Sequence, residues 1–107
     1  MEWEITQPTI AIEQIEEQPK VYAMNLYRYT SGYIVEDKGK FYTYLIIPNK
    51  HKLYLEDIQT INYNYGLELD YDLLDNVGQR HLGYKYNSLD LDKMKNDLDD
   101  LNNRLFN

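Results

Sequence analysis

GYIVEDKGKFYTYLII (residues 32–47) decides the fold. Tyr33-Ile34-Val35-Glu36 and Phe41 to Ile47 are β-branched and aromatic runs on either side of Asp37-Lys38-Gly39-Lys40. This pattern predicts a β-hairpin with Gly39 in a left-handed turn position. Val21 to Tyr29 is equally rich in such residues, and Thr30-Ser31-Gly32 supplies a turn into the next strand. Three consecutive antiparallel strands are therefore expected at the centre of a sheet. Pro48 and Asn49 end the third, because proline brings no ladder donor.

Outward from this meander, the C-terminal end predicts a helix. Ser88 or Asp90 can cap it, and Asp90 and Asp92 suit the positive end of the helix dipole. Leu91, Met94, Leu98, Leu101 and Leu105 follow at spacings of 3, 4, 3 and 4, with Asp90/Lys93, Asp92/Lys95 and Asp100/Arg104 beside them. The seam can cover the sheet or pair with a helix of a second copy. Two heptads are short for a coiled coil and the hairpin needs a cover, so we favour the sheet. Self-association through Leu91, Met94, Leu98, Leu101 and Leu105, giving a homodimer, is the alternative.

Between these, Leu55, Ile58, Ile61 and Tyr65 predict a short helix from about Leu55 to Asn64, with Gly66 as its stop. Leu67, Leu69 and Tyr71 alternate with Glu68, Asp70 and Asp72, the period of a half-buried strand. Weaker strand signals lie at Thr9 to Ile15 and Leu82 to Tyr86. The expected architecture is α+β: one domain over residues 1–107, with a small, mostly antiparallel sheet packed by the C-terminal helix and one shorter helix.

The chain has 107 residues and no cysteine. That excludes disulfides, a thiolate nucleophile and cysteine-ligated zinc, and it fits a reducing compartment. The N-terminal stretch is acidic where a signal peptide is basic, and no apolar run is long enough to span a bilayer. A cytoplasmic location is expected, away from membranes. The net charge of −7 is uneven. Residues 1–19 hold five carboxylates and no Lys or Arg, and residues 56–79 hold six and none. Residues 20–55 are instead basic. Acidic fields repel phosphate backbones and attract basic surfaces, so direct nucleic-acid binding is disfavoured.

Catalytic and metal patterns fail one by one. The two serines sit at turn and cap positions, Ser31 and Ser88, and neither His51 nor His81 has a helical i, i+4 partner. Both histidines read as exposed loop residues. Glu68 to Asp75 places carboxylates at alternate positions, yet Leu73 stands where a calcium loop needs glycine and Gln79 where it needs glutamate. The five glycines form no phosphate loop. The chain is expected to be no enzyme and to hold no metal or cofactor.

A surface argument remains. In a strand, Glu68, Asp70 and Asp72 would line one face at intervals of about 6.6 Å. That repeat is comparable to every second phosphate of a DNA strand, at about 3.4 Å per phosphate. Twelve tyrosines are too many for one small core, and tyrosine suits protein interfaces. Tyr27-Arg28-Tyr29 and Lys85-Tyr86 could alternatively stack on nucleobases. We expect a partner-binding surface formed by Glu68, Asp70, Asp72, Asp75, Tyr63, Tyr65 and Tyr71, taking a protein with a basic surface. In size and acidity the chain is similar to small phage-encoded inhibitors such as anti-CRISPR proteins and other DNA mimics, a likeness of character without a shared motif. It implies a phage or mobile-element inhibitor that occludes a nucleic-acid-binding surface of a host or defence protein. The alternative is a structural protein that assembles through its C-terminal helix or a sheet edge.

Overall fold

The computed structural model describes residues 3–5 and 19–106, with backbone only at residues 4 and 5. Its strands are β1 (Glu4–Ile5), β2 (Lys20–Leu26), β3 (Ser31–Asp37), β4 (Lys40–Ile47), β5 (Tyr71–Leu74) and β6 (Arg80–Tyr86). The helices are α1 (Ile58–Tyr65) and α2 (Leu91–Phe106). All strand pairings are antiparallel, in the order β1-β2-β3-β4-β6-β5. The α+β architecture with a central meander is as expected from the sequence. The strand expected at Thr9 to Ile15 lies outside the described residues.

The β3–β4 hairpin closes on Asp37↔Lys40, leaving Lys38 and Gly39 as a two-residue loop with φ of 54° and 80°. Positive φ at both positions matches the right-handed twist of the flanking strands, at a modest cost for the lysine. Alternation then sorts the sheet into two faces. Ile34, Thr43, Leu45, Ile47 and Leu82 are buried on one, beneath the helices. Tyr33, Tyr42, Tyr44, Ile46 and His81 stand on the other.

Asp90 is the residue that caps α2, accepting the Lys93 N–H at 3.2 Å through its carboxylate while its carbonyl takes the Met94 N–H at 2.9 Å. Met94, Leu98, Leu101 and Leu105 are buried in the core with Ile34, Leu45 and Leu82, and Leu91 packs at its margin. This corrects the self-association alternative for the seam. Its apolar stripe covers the chain's own sheet, with Met94, Leu98, Leu101 and Leu105 buried there and Leu91 half-buried. Leu98→Ala should therefore cost about 2–5 kcal/mol of stability, read from denaturant unfolding, as for other buried leucines. Loss of an oligomer with unchanged stability would contradict this placement.

The middle of the chain departs from expectation in two places. The shorter helix begins at Ile58, because Asp57 adopts extended backbone and its carboxylate accepts the Gln59 and Thr60 N–H groups. Leu55 falls outside the helix and is 90% exposed. Gly66, at φ 65°, ends the helix as foreseen. Residues 67–70 alternate in burial as a strand would, yet they are irregular, and pairing starts only at Tyr71. The reason is local: the Asn62 amide accepts the Leu69 N–H at 2.8 Å and donates to the Leu69 carbonyl at 3.0 Å, so helix α1 takes the bonds that a neighbouring strand would have made.

Candidate functional site

The acidic row comes together only in part. Glu68 is exposed and makes no hydrogen bond to other described residues. Asp70 is exposed, but one oxygen accepts the Lys85 backbone N–H at 2.8 Å. Asp72 lies on β5 and is held bidentately by Arg80, both N···O distances being 2.8 Å. Asp75 is the hub of the β5–β6 turn, accepting the Val77 N–H at 3.0 Å, the Gln79 N–H at 2.9 Å and the His81 Nε2 contact at 3.0 Å. The Gln79 bond chiefly, with His81 and Val77, holds the Asp75 carboxyl below its ordinary range. A regular run of four fixed charges is thus corrected to two outward carboxylates, Glu68 and Asp70; the other two do structural work.

Arg80 organises this end of the molecule, and nothing in the sequence marked it. Its guanidinium is buried, and Nη1 donates to the carbonyls of Leu53, Tyr54 and Glu56 at 2.9, 3.1 and 2.5 Å. The planar fork thereby binds the segment after β4 to the β5–β6 hairpin. Tyr54 adds a second tie, donating its hydroxyl to the Gly78 carbonyl at 2.8 Å. These ties carry the exposed side chains of Leu55, Leu74 and Val77 to one end of the sheet.

The tyrosines also resolve differently from expectation. Among the described residues only Tyr29 and Tyr63 are largely exposed; the other ten are half-buried. Tyr65 is one of these, its ring packed against the core while its carbonyl accepts from Arg104. Tyr71 does not enter the core, as alternation from Leu67 would have it, but joins the second sheet face. There Tyr33 stacks on Tyr44 at 5.4 Å, Tyr44 on His81 at 4.2 Å with rings parallel to 2°, and Tyr42 leans on Tyr71 at 4.6 Å. Burial and the neighbouring Tyr71 and Tyr33 push the Tyr44 hydroxyl well above its ordinary pKa. His81 is accordingly no loop residue, but a member of this layer on β6. His51 does lie in a loop, packed 4.7 Å from the Phe106 ring, and burial pushes its imidazole below the usual value.

This geometry bears on ligand class. In the stack of Tyr33, Tyr44 and His81 the ring faces are turned to one another. Nucleobase platforms offer ring faces to the ligand, and in this stack faces are engaged within the layer. Two open grooves, of 530 and 360 Å³, mark the surface. The first runs beside β5, lined by Tyr42, Ile58, Leu69, Asp70, Tyr71 and Lys85 among others. The second lies between β2 and α2, where the Tyr27 hydroxyl donates to Asp99 at 2.6 Å. Among the described residues no group of three His, Cys, Asp or Glu side chains is placed to hold a metal ion, and no helix is long and apolar enough to cross a membrane. Compared with models of known protein families, with curated proteins and with solved structures, the chain matches none.

Proposed function

We propose that the chain is a non-enzymatic acidic protein-binding module whose contact surface is the segment from Leu55 to Val77. One observation carries this. Of the eight large apolar side chains exposed among the described residues, five (Leu55, Tyr63, Leu73, Leu74 and Val77) fall in this segment, which is also the most acidic part of the chain. Leu55 and Tyr63 are 90% and 88% exposed. Exposed apolar side chains together with exposed charge are the makings of a protein interface, and the exposed Glu56, Asp57, Glu68 and Asp70 of the same segment favour a basic partner. The finer form of the proposal is occlusion: the module covers a nucleic-acid-binding cleft of its partner.

The test changes an exposed leucine and an exposed carboxylate in one variant, Leu55→Asp with Glu68→Lys, which leaves Asp72 and its bond to Arg80 intact. The tagged wild-type chain should retain a nucleic-acid-binding protein from its host at low salt, release it at moderate salt, and lose it to competing oligonucleotide. The variant should retain at least about tenfold less, with an unchanged unfolding midpoint. Equal retention by the variant would overturn the assignment of this surface.

A further inference from the structure

Among the described residues β5 is an outermost strand of the sheet, with β6 on one side and no strand on the other. Its phase fixes which backbone groups are unused. The Asp75 N–H donates to the Gln79 carbonyl at 2.9 Å, and the register continues as Leu74↔Arg80, Leu73↔His81, Asp72↔Leu82 and Tyr71↔Gly83. Hydrogen-bonded and non-bonded pairs alternate, so Tyr71 and Leu73 bond to β6 while the N–H and C=O groups of Asp72 and Leu74 point away from it.

Exposed edges are normally blunted by lysine, proline, a bulge or an inward charge. Tyr71-Asp72-Leu73-Leu74 has neither lysine nor proline. Its single charge, Asp72, is bound bidentately by Arg80. Leu73 and Leu74, 46% and 60% exposed, flank the free backbone groups.

We infer that this edge pairs with the same edge of a second copy, antiparallel, about a two-fold axis at Leu73. Only that register matches the outward groups. Asp72 of one copy faces Leu74 of the other, about four backbone hydrogen bonds form, and the two Leu73 side chains meet across the axis at the short non-bonded spacing. Each Asp72 carboxylate then lies opposite a leucine, with its charge already met by Arg80. Within the paired strands the edge is complementary to itself in charge: Asp72, the one charged residue of β5, is already neutralised by Arg80 of its own chain, so pairing two copies brings no unpaired charge of β5 together. The result is a continuous sheet through two copies, an isologous interface.

This inference does not depend on the proposed function, and salt separates the two. Two chains of net charge −7 repel, so self-pairing should tighten as salt is added, whereas binding to a basic partner should weaken. Sedimentation equilibrium of the purified chain from micromolar to millimolar concentration should show a monomer–dimer equilibrium that shifts toward dimer with salt. Amide exchange at Asp72 and Leu74 should slow as dimer forms. Leu74→Pro deletes one outward N–H per copy and leaves the β6 ladder intact, and should weaken the dimer by about tenfold or more. Leu73→Lys places two ammonium groups at the axis on an exposed position and should do the same, which keeps the test decisive if the proline variant folds poorly. A chain that stays monomeric throughout, a dimer that survives Leu73→Lys, or a dimer with unchanged exchange at Asp72 and Leu74 would overturn the inference.

Discussion

Gly83→Ala is expected to prevent stable folding. Gly83 pairs with Tyr44 on one side and Tyr71 on the other, at the middle of the β4–β6–β5 ladder. A Cβ at this position would overlap the Thr43 carbonyl oxygen and stand 2.6 Å from the Thr43 carbon and 2.7 Å from the Tyr44 Cα. These are backbone atoms in the centre of the sheet, so relief requires β4 and β6 to separate along their shared ladder. The missing side chain also makes room on the second face, where the Tyr44 and Tyr71 rings approach to 6.0 Å across it. Loss of ladder bonds together with displaced rings should cost about 4 kcal/mol or more, most of the stability of a small domain. Far-UV circular dichroism and denaturant unfolding would measure it. Gly32→Ala is the control: there a Cβ would meet side-chain atoms of Tyr27 and Leu45, at 3.0 and 3.1 Å, which can shift. A Gly83→Ala protein within about 1 kcal/mol of wild type would mean that the two strands do not approach in this way.

The contrast between Gly83 and the hairpin shows what a sequence can disclose here. Turn chemistry and hydrophobic period are local, so the β3–β4 hairpin and the seam of α2 were legible from residues a few positions apart. Gly66 as a helix stop was legible for the same reason. Gly83 was not, because its requirement arises from the backbone of Thr43 and Tyr44, about 40 positions away in the chain. The interrupted strand at 67–70 has a similar origin. Leu67, Glu68, Leu69 and Asp70 alternate correctly, and burial follows the alternation, but the Asn62 amide takes both backbone groups of Leu69. Periodicity reports which side chains are inside; it does not report where their backbone bonds go.

The acidic row failed on the same distinction. Spacing placed Glu68, Asp70, Asp72 and Asp75 in a line, and charge alone made them a surface. Their partners are a buried arginine, a strand N–H and a turn, none adjacent in sequence to the whole row. Carboxylates engaged in this way hold the fold together, and a charge reversal at Asp72 would confound loss of binding with loss of structure. What survives as surface is Glu68 and Asp70 with the exposed apolar side chains of the same segment; helical spacing had assigned Leu55 to the inner face of a helix, and no pattern in the sequence had picked out Leu74 or Val77.

Arg80→Met should be the second most damaging single change, and the way in which it fails is informative. The methionine can fill the aliphatic part of the arginine site, so packing changes little. What disappears is the guanidinium, and with it the donors to the Leu53, Tyr54 and Glu56 carbonyls and to both oxygens of Asp72. Asp72 is partly exposed and can recover water, so its share of the cost is small. The three carbonyls converge on one buried nitrogen, and an acceptor left without a partner costs about 1–3 kcal/mol. Some will rehydrate as the segment after β4 lifts, so the net loss should be about 3 kcal/mol. Amide exchange should accelerate selectively at residues 51–56 and 76–80, while the β2–β3–β4 meander stays protected. Arg80→Lys retains a charge but cannot span carboxylate and carbonyls together, and should fall between the two. Asp72→Asn should cost less than either, since the three carbonyl bonds remain. The opposite order, with Asp72→Asn worse than Arg80→Met, would mean that the ion pair rather than the carbonyl cluster fixes this end of the sheet. It would then place the apolar surface of Leu55, Leu74 and Val77 under the control of a carboxylate that a basic partner could compete for.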